Sequence, residues 1–133
     1  YETGERQPKI EKIQTISTTG PKALSQLTAA SSMRLSTDEK HMFCGNAGDN
    51  TVTVYDRDPK TGLLDYICCL PISGSYPKDI CVFPDDKHIA SINHENGSIT
   101  FFSVDYKKGL LIMNGKEIKV NEPNSCVIVK VGE

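Results

Sequence analysis

Apolar residues recur along this chain in short runs separated by residues that favour turns. Runs at 33–35, 41–44, 51–55 and 63–70 are followed by runs at 80–83, 88–92, 98–102 and 110–120, all with the periodicity of short strands. Between them, Ser36-Thr37-Asp38-Glu39-Lys40 and Pro84-Asp85-Asp86-Lys87 read as tight turns, and Gly48-Asp49-Asn50 and Asn96-Gly97 as hairpin loops. Asp58-Pro59-Lys60-Thr61-Gly62 reads as a turn closing on a residue that tolerates positive φ. A helix competes only at 22–30, where Ala, Leu and Gln favour it; Gly20-Pro21 and the flanking Ser and Thr residues suit a loop equally.

The two sets of four runs are copies of one another. Asp38, Lys40, His41, Asn46, Thr53, Asp58, Lys60, Gly62, Leu63 and Leu64 recur at an offset of 47 as Asp85, Lys87, His88, Asn93, Thr100, Asp105, Lys107, Gly109, Leu110 and Leu111. These identities fall without a gap, and Val52/Ile99 and Tyr55/Phe102 extend them. A unit of four antiparallel strands in about 40 to 50 residues is the size of a β-propeller blade. The expectation is an all-β fold of four-stranded blades, with units at 30–76 and 77–123, a partial blade at 1–29 and a closing strand at 124–133. Tyr1-Glu2-Thr3-Gly4 reads as the end of a hairpin. Because closure needs about four or more blades, this chain should be two to three blades of a larger propeller. Upstream blades of the same protein or self-association of copies would complete it.

Composition narrows the partners. Of 133 residues, 38% are hydrophobic and 24% charged, which excludes disorder; a net charge of -2 without a basic run argues against nucleic acid. No apolar stretch is long enough to span a bilayer, and the polar opening holds no signal peptide to read. Cys44, Cys68, Cys69, Cys81 and Cys126 are odd in number and irregular in spacing, so neither a disulfide framework nor a zinc site is expected. Reduced cysteines and a cytoplasmic location follow as the simplest reading. The vicinal Cys68-Cys69 pair sits in an apolar run and reads as structural.

In a blade, the second-to-third strand loops share one rim with the connections between blades. That rim gathers Asn46, Asn93, His94 and Glu95 with Tyr76-Pro77-Lys78-Asp79. A cation, carboxylates, an imidazole and two amides suffice for anion recognition and general-base activation of water, the chemistry of ester or lactone hydrolysis. Alternatively, Lys78 and Asp79 form a solvated pair and the asparagines simply end strands. His41 and His88 belong to the opposite rim and read as architectural. The histidine spacing suits no metal, and no Gly-x-Ser-x-Gly elbow, phosphate loop or Gly-x-Gly-x-x-Gly fingerprint occurs.

Leu35-Ser36-Thr37-Asp38-Glu39-Lys40-His41-Met42-Phe43-Cys44-Gly45-Asn46, Asn50-Thr51-Val52-Thr53-Val54-Tyr55 and Asp58-Pro59-Lys60-Thr61-Gly62-Leu63-Leu64 resemble the lactonase family of seven-bladed β-propellers. Tyr76-Pro77-Lys78-Asp79, Phe83-Pro84-Asp85-Asp86-Lys87 and the closing Val120-Asn121-Glu122-Pro123-Asn124-Ser125-Cys126-Val127 continue the resemblance in order, toward that family's last blades. It implies a hydrolase like the bacterial 6-phosphogluconolactonases, or like a fungal muconate-lactonising enzyme of related fold, with no metal or cofactor. By position, Asn46 and Asn93 match asparagines that end second strands, and Lys78-Asp79 matches a Pro-Arg-Asp signature with Lys for Arg. Ala47 stands where the family often has Arg, and His94 where it often has Gln; loss of a guanidinium removes a bidentate anion clamp that Lys78 replaces only in part. The resulting expectation makes Asp79 or His94 the catalytic base, Lys78 the group that holds the substrate anion or polarises its carbonyl, and Asn46 and Asn93 substrate-orienting. The competing expectation is a non-catalytic propeller scaffold that binds a metabolite or a protein.

Overall fold

In the computed structural model, which describes residues 10–21, 28–129 and 131–132, the apolar runs form two antiparallel sheets. The first runs in the order β1 (Ala30–Leu35), β2 (His41–Asn46), β3 (Thr51–Arg57), β4 (Leu64–Pro71). The second runs β5 (Pro77–Val82), β6 (His88–Asn93), β7 (Ser98–Asp105), β8 (Leu110–Met113), and β9 (Ile118–Lys119) also pairs with β7. Each is one four-stranded blade, as the repeat requires. The described residues hold no helix; positions 22–27 of the helix-or-loop stretch and the expected hairpin end at 1–4 lie outside them.

The 47-residue offset is visible in the hydrogen bonding. Asn46 opposes Thr51 and Asn93 opposes Ser98, and each inner strand carries a register shift at the same place, between Ala30 and Ser32 and between Pro77 and Asp79. Repeated aspartates build the turns: Asp58 Oδ1 accepts the Lys60 amide at 2.7 Å, and Asp85 Oδ1 accepts the Lys87 amide at 2.9 Å. Gly62 and Gly109 close equivalent turns at φ 76 and 62, where a Cβ would be strained. The run expected as a single strand at 110–120 is instead divided. Gly115 at φ 76 turns the chain, and the Asn114 amide bonds to the Phe101 carbonyl at 2.7 Å before pairing resumes at β9.

The blades pack face to face through alternate side chains. Phe43, Val54 and Cys68 oppose one another across β2, β3 and β4, and they meet Ile80, Ile89 and Phe102 of the second blade in one buried cluster with Val52 and Ile72. On the other face of the first blade, Cys44, Tyr55 and Leu64 are covered by Ile16 and Met42. The segment bearing Ile16 is tied down by polar bonds: Gln14 exchanges two hydrogen bonds with the Leu64 backbone, each 2.8 Å, and Tyr55 donates to the Ser17 carbonyl at 2.7 Å. Burial pushes the Cys44 and Cys68 thiols up to about 11, which keeps them protonated and fits the structural reading of Cys68.

One cysteine expectation is corrected. Cys81 on β5 and Cys126 in the C-terminal segment form a disulfide, 45 residues apart in sequence, with Cα atoms 6.4 Å apart. The spacing carried no pattern because the return of the C-terminal segment to β5, not local sequence, brings the sulfurs together. The ground on which a reduced, cytoplasmic setting was expected is thereby removed. Among the described residues no helix is long and apolar enough to cross a membrane.

Candidate functional site

The connection between the blades meets both second-to-third strand loops at one rim. The Tyr76 amide donates to Asn50 Oδ1 at 2.7 Å, the Ser75 amide to Asn96 Oδ1 at 3.0 Å, and the His94 amide to the Tyr76 carbonyl at 3.0 Å. This brings His94 and Glu95 to a common mouth beside the Tyr76 segment. An open cleft of about 460 Å³ is lined there by His94, Glu95, Asn96, Gly97 and residues 119–122. Tyr76 holds φ 57, a left-handed conformation unusual for an aromatic residue, and its ring centroid lies 6.5 Å from that of His94.

Lys78 is the extra residue at the β5 register shift, and such a bulge re-aims a side chain. Its Nζ donates to Asn124 Oδ1 at 2.8 Å. His94, half-buried, places Nδ1 3.2 Å from the Pro123 carbonyl. A carbonyl only accepts, so Nδ1 carries the hydrogen, and the neutral ring keeps its lone pair on Nε2. That atom is suited to take a proton.

Asp79 is differently placed. It is buried, and Arg34 from β1 reaches Oδ2 at 2.8 Å. Its Oδ2 also accepts the Cys126 amide at 3.2 Å, while Oδ1 accepts the Ile80 amide at 2.9 Å. Both oxygens are thus committed to the protein, a poor arrangement for receiving a proton from water. Arg34 was not among the residues expected from sequence. The available signal was the repeat itself, which aligns Arg34 with Cys81, and the disulfide shows that this inner-strand position lies beside the C-terminal segment.

Asn46 and Asn93 do not reach the cleft. Each is 0% exposed. Asn46 Nδ2 bonds to the Thr18 carbonyl at 2.8 Å and to Thr53 Oγ1 at 3.0 Å, and Asn93 Nδ2 bonds to Thr100 Oγ1 at 3.0 Å. Thr53 in turn donates to the Thr18 carbonyl and Thr100 to that of Ile72, so the two residues lock each blade's loop to the connection before it. In this geometry both side chains are buried and hold their blade's loop in place. Glu95 is exposed and accepts from Ser75 Oγ at 2.9 Å. His41 stacks on Tyr106 with centroids 3.6 Å apart, and His88 Nδ1 lies 2.6 Å from Asp85, both at the opposite rim.

The family model described as "Lactonase, 7-bladed beta-propeller" matches residues 1–129. The chain belongs to this lactonase family. It is 21% identical over 115 residues to the 6-phosphogluconolactonase of Bacillus subtilis, covering 86% of this chain and 33% of that protein. A solved structure from Bacteroides fragilis, described as a candidate 6-phosphogluconolactonase, superposes with a TM-score of 0.73 at 24% identity, over 85% of this chain and 31% of that one. The periplasmic gluconolactonase PpgL of Pseudomonas aeruginosa superposes with a TM-score of 0.67 at 20% identity, over 73% of this chain and 27% of that one. The chain spans about a third of the length of the curated relatives it matches. Family likeness establishes the propeller blades.

Proposed function

We propose that this chain contributes the Lys78–His94 mouth of a carboxylic-ester hydrolase that opens a sugar lactone, most like a 6-phosphogluconolactonase. The observation that supports this reading is that the Lys78 ammonium and the His94 imidazole bond to adjacent residues, Asn124 and Pro123, at one rim of blades that belong to the lactonase family. Water attacks the lactone carbonyl carbon while His94 Nε2 accepts its proton. The resulting oxyanion is stabilised by a cation, and Lys78 supplies one after exchanging Asn124 for substrate. Collapse breaks the ring C–O bond, and the imidazolium returns the proton to the leaving alkoxide, giving the open hydroxy acid. No cofactor enters these steps. Arg34 and Asp79 act as a positioning pair behind Lys78, and Asn46 and Asn93 hold the loops that carry the mouth.

The test is acid release from 6-phosphogluconolactone above its spontaneous rate, measured on the full-length protein. His94→Gln should lower kcat by about 10² or more, the usual effect of losing a general base. Lys78→Ala should lower kcat by about 10² or more with little change in KM, because the cation that stabilises the oxyanion is lost. Activity indifferent to both changes would put the chemistry elsewhere in the protein. Inactivity toward several lactones would favour the non-catalytic binding scaffold.

A further inference from the structure

Tyr76 is held in a conformation that its residue type disfavours. Its φ of 57 lies in the left-handed region, and it stands directly before Pro77, whose ring pushes a preceding residue toward extended backbone. Loops of both blades clamp it there. The Tyr76 amide donates to Asn50 Oδ1 at 2.7 Å and its carbonyl accepts the His94 amide at 3.0 Å. The preceding Ser75 amide donates to Asn96 Oδ1 at 3.0 Å, and the Ser75 carbonyl accepts the Glu95 amide at 3.3 Å. Glu122 before Pro123 repeats the pattern with φ 43 beyond the second blade, so the left-handed turn belongs to the path by which the chain leaves a blade. That path explains the backbone but not the tyrosine. Glycine takes positive φ without a Cβ clash and would follow the same path unstrained. Packing in the core does not offset the strain, because Tyr76 belongs to neither buried cluster and is 39% exposed. What its ring meets is His94, with centroids 6.5 Å apart and planes tilted by 57°.

We propose that Tyr76 is a substrate-binding residue of this mouth, its aromatic face the platform on which the lactone ring lies. The inference rests on the reading of the Lys78–His94 mouth as the lactone site. A sugar lactone presents C–H bonds on the faces of its ring and hydroxyls around the edge. The C–H bonds meet the electron-rich face of the tyrosine, and the hydroxyls stay with the polar groups of the rim. A ring laid on this platform sits beside the imidazole assigned to proton transfer. The clamp on residues 75 and 76 keeps the platform in place before substrate arrives, so little freedom is lost on binding. The platform also discriminates by shape. The open hydroxy acid formed by hydrolysis is a flexible chain with no ring face to lay on it, so substrate is held in preference to product.

Two readouts on the full-length protein separate this inference from the proposed activity. Hydrolysis of 6-phosphogluconolactone is measured beside calorimetric binding of glucono-δ-lactam, a ring of similar shape whose amide resists hydrolysis. Tyr76→Gly should raise both KM and the lactam Kd at least about tenfold with little change in kcat, because a platform binds ground state and transition state alike. Its melting temperature should stay within about 4 °C of the wild type or rise, since relief of the left-handed strain offsets the greater freedom of glycine in the unfolded chain. Tyr76→Phe, which restores the ring face, should recover lactam binding. An unchanged lactam Kd in Tyr76→Gly would overturn the inference, and so would a larger fall in its melting temperature, which would make the ring structural. Failure of the wild type to bind the lactam would overturn it too. If lactam binding depends on the ring in this way while no form hydrolyses any lactone, the platform stands and the lactonase reading fails.

Discussion

Asp79 ties three parts of the mouth together, because one carboxylate accepts from Arg34 on β1, from the Ile80 amide on its own strand and from the Cys126 amide in the C-terminal segment. Removing it leaves a buried amide without its acceptor and Arg34 without its anion. Asp79→Ala is expected to destabilise the fold by about 2 to 4 kcal/mol, since hydrogen bonds to charged groups exceed neutral ones and the site is buried. Arg34→Ala should cost less, because the guanidinium side chain is 48% exposed and its half of the pair is screened by solvent. Urea midpoints at an unchanged slope measure both; equal losses, or an Asp79→Ala loss below about 0.5 kcal/mol, would contradict the assignment. At this scale the sequence showed which residue types meet at the rim. It did not show that Asp79 is already saturated, since burial and partnership are properties of the surrounding strands.

At the level of turns and loops, the repeated aspartates are structural carboxylates. The Lys60 amide holds Asp58, the Ser36 hydroxyl holds Asp38 and the Lys87 amide holds Asp85 below the usual carboxylate value of 3.8. A group depressed in the folded chain contributes stability above its unfolded value and loses it as pH falls through the folded one. Stability should therefore fall on acidification below about pH 4, and Asp58→Asn combined with Asp85→Asn should flatten that fall in urea titrations taken from about pH 6 to pH 3. A slope unaltered by the double change would show that these turns do not supply it. The loop lock makes a separate demand. A Cβ on Gly74 would lie 2.3 Å from the Asn93 amide group, closer than contact allows. Gly74→Ala should displace Asn93 from Thr100 and cost about 1 to 3 kcal/mol, the range for overpacking, with the loss read from thermal or urea unfolding. A neutral change would mean the lock yields without consequence.

Across the whole chain, the apolar surface is unevenly covered. The cluster between the sheets is sealed, with Phe43, Val52, Val54 and Ile80 fully buried, whereas Leu110, Ile112, Met113 and Ile118 remain exposed on or beside the outer strands of the second blade. Exposed apolar strand faces and unpaired edges promote association. The 133-residue chain studied alone should therefore self-associate, seen as a sedimentation coefficient that rises with concentration. A compact monomer across a wide concentration range would count against this.

Strand order, turn chemistry and blade size were legible in the amino-acid sequence because they depend on period-two patterning, Asx turns and positive-φ glycines, all short-range. The 47-residue self-match then made the two blades equivalent before any contact was known. The division of 110–120 at Gly115, the burial of Asn46 and Asn93, the Arg34–Asp79 pair and the Cys81–Cys126 bond were decided only by tertiary structure. Each depends on which side chains from distant segments arrive at one place, and residues some 45 positions apart along the chain carry no local pattern that announces their meeting.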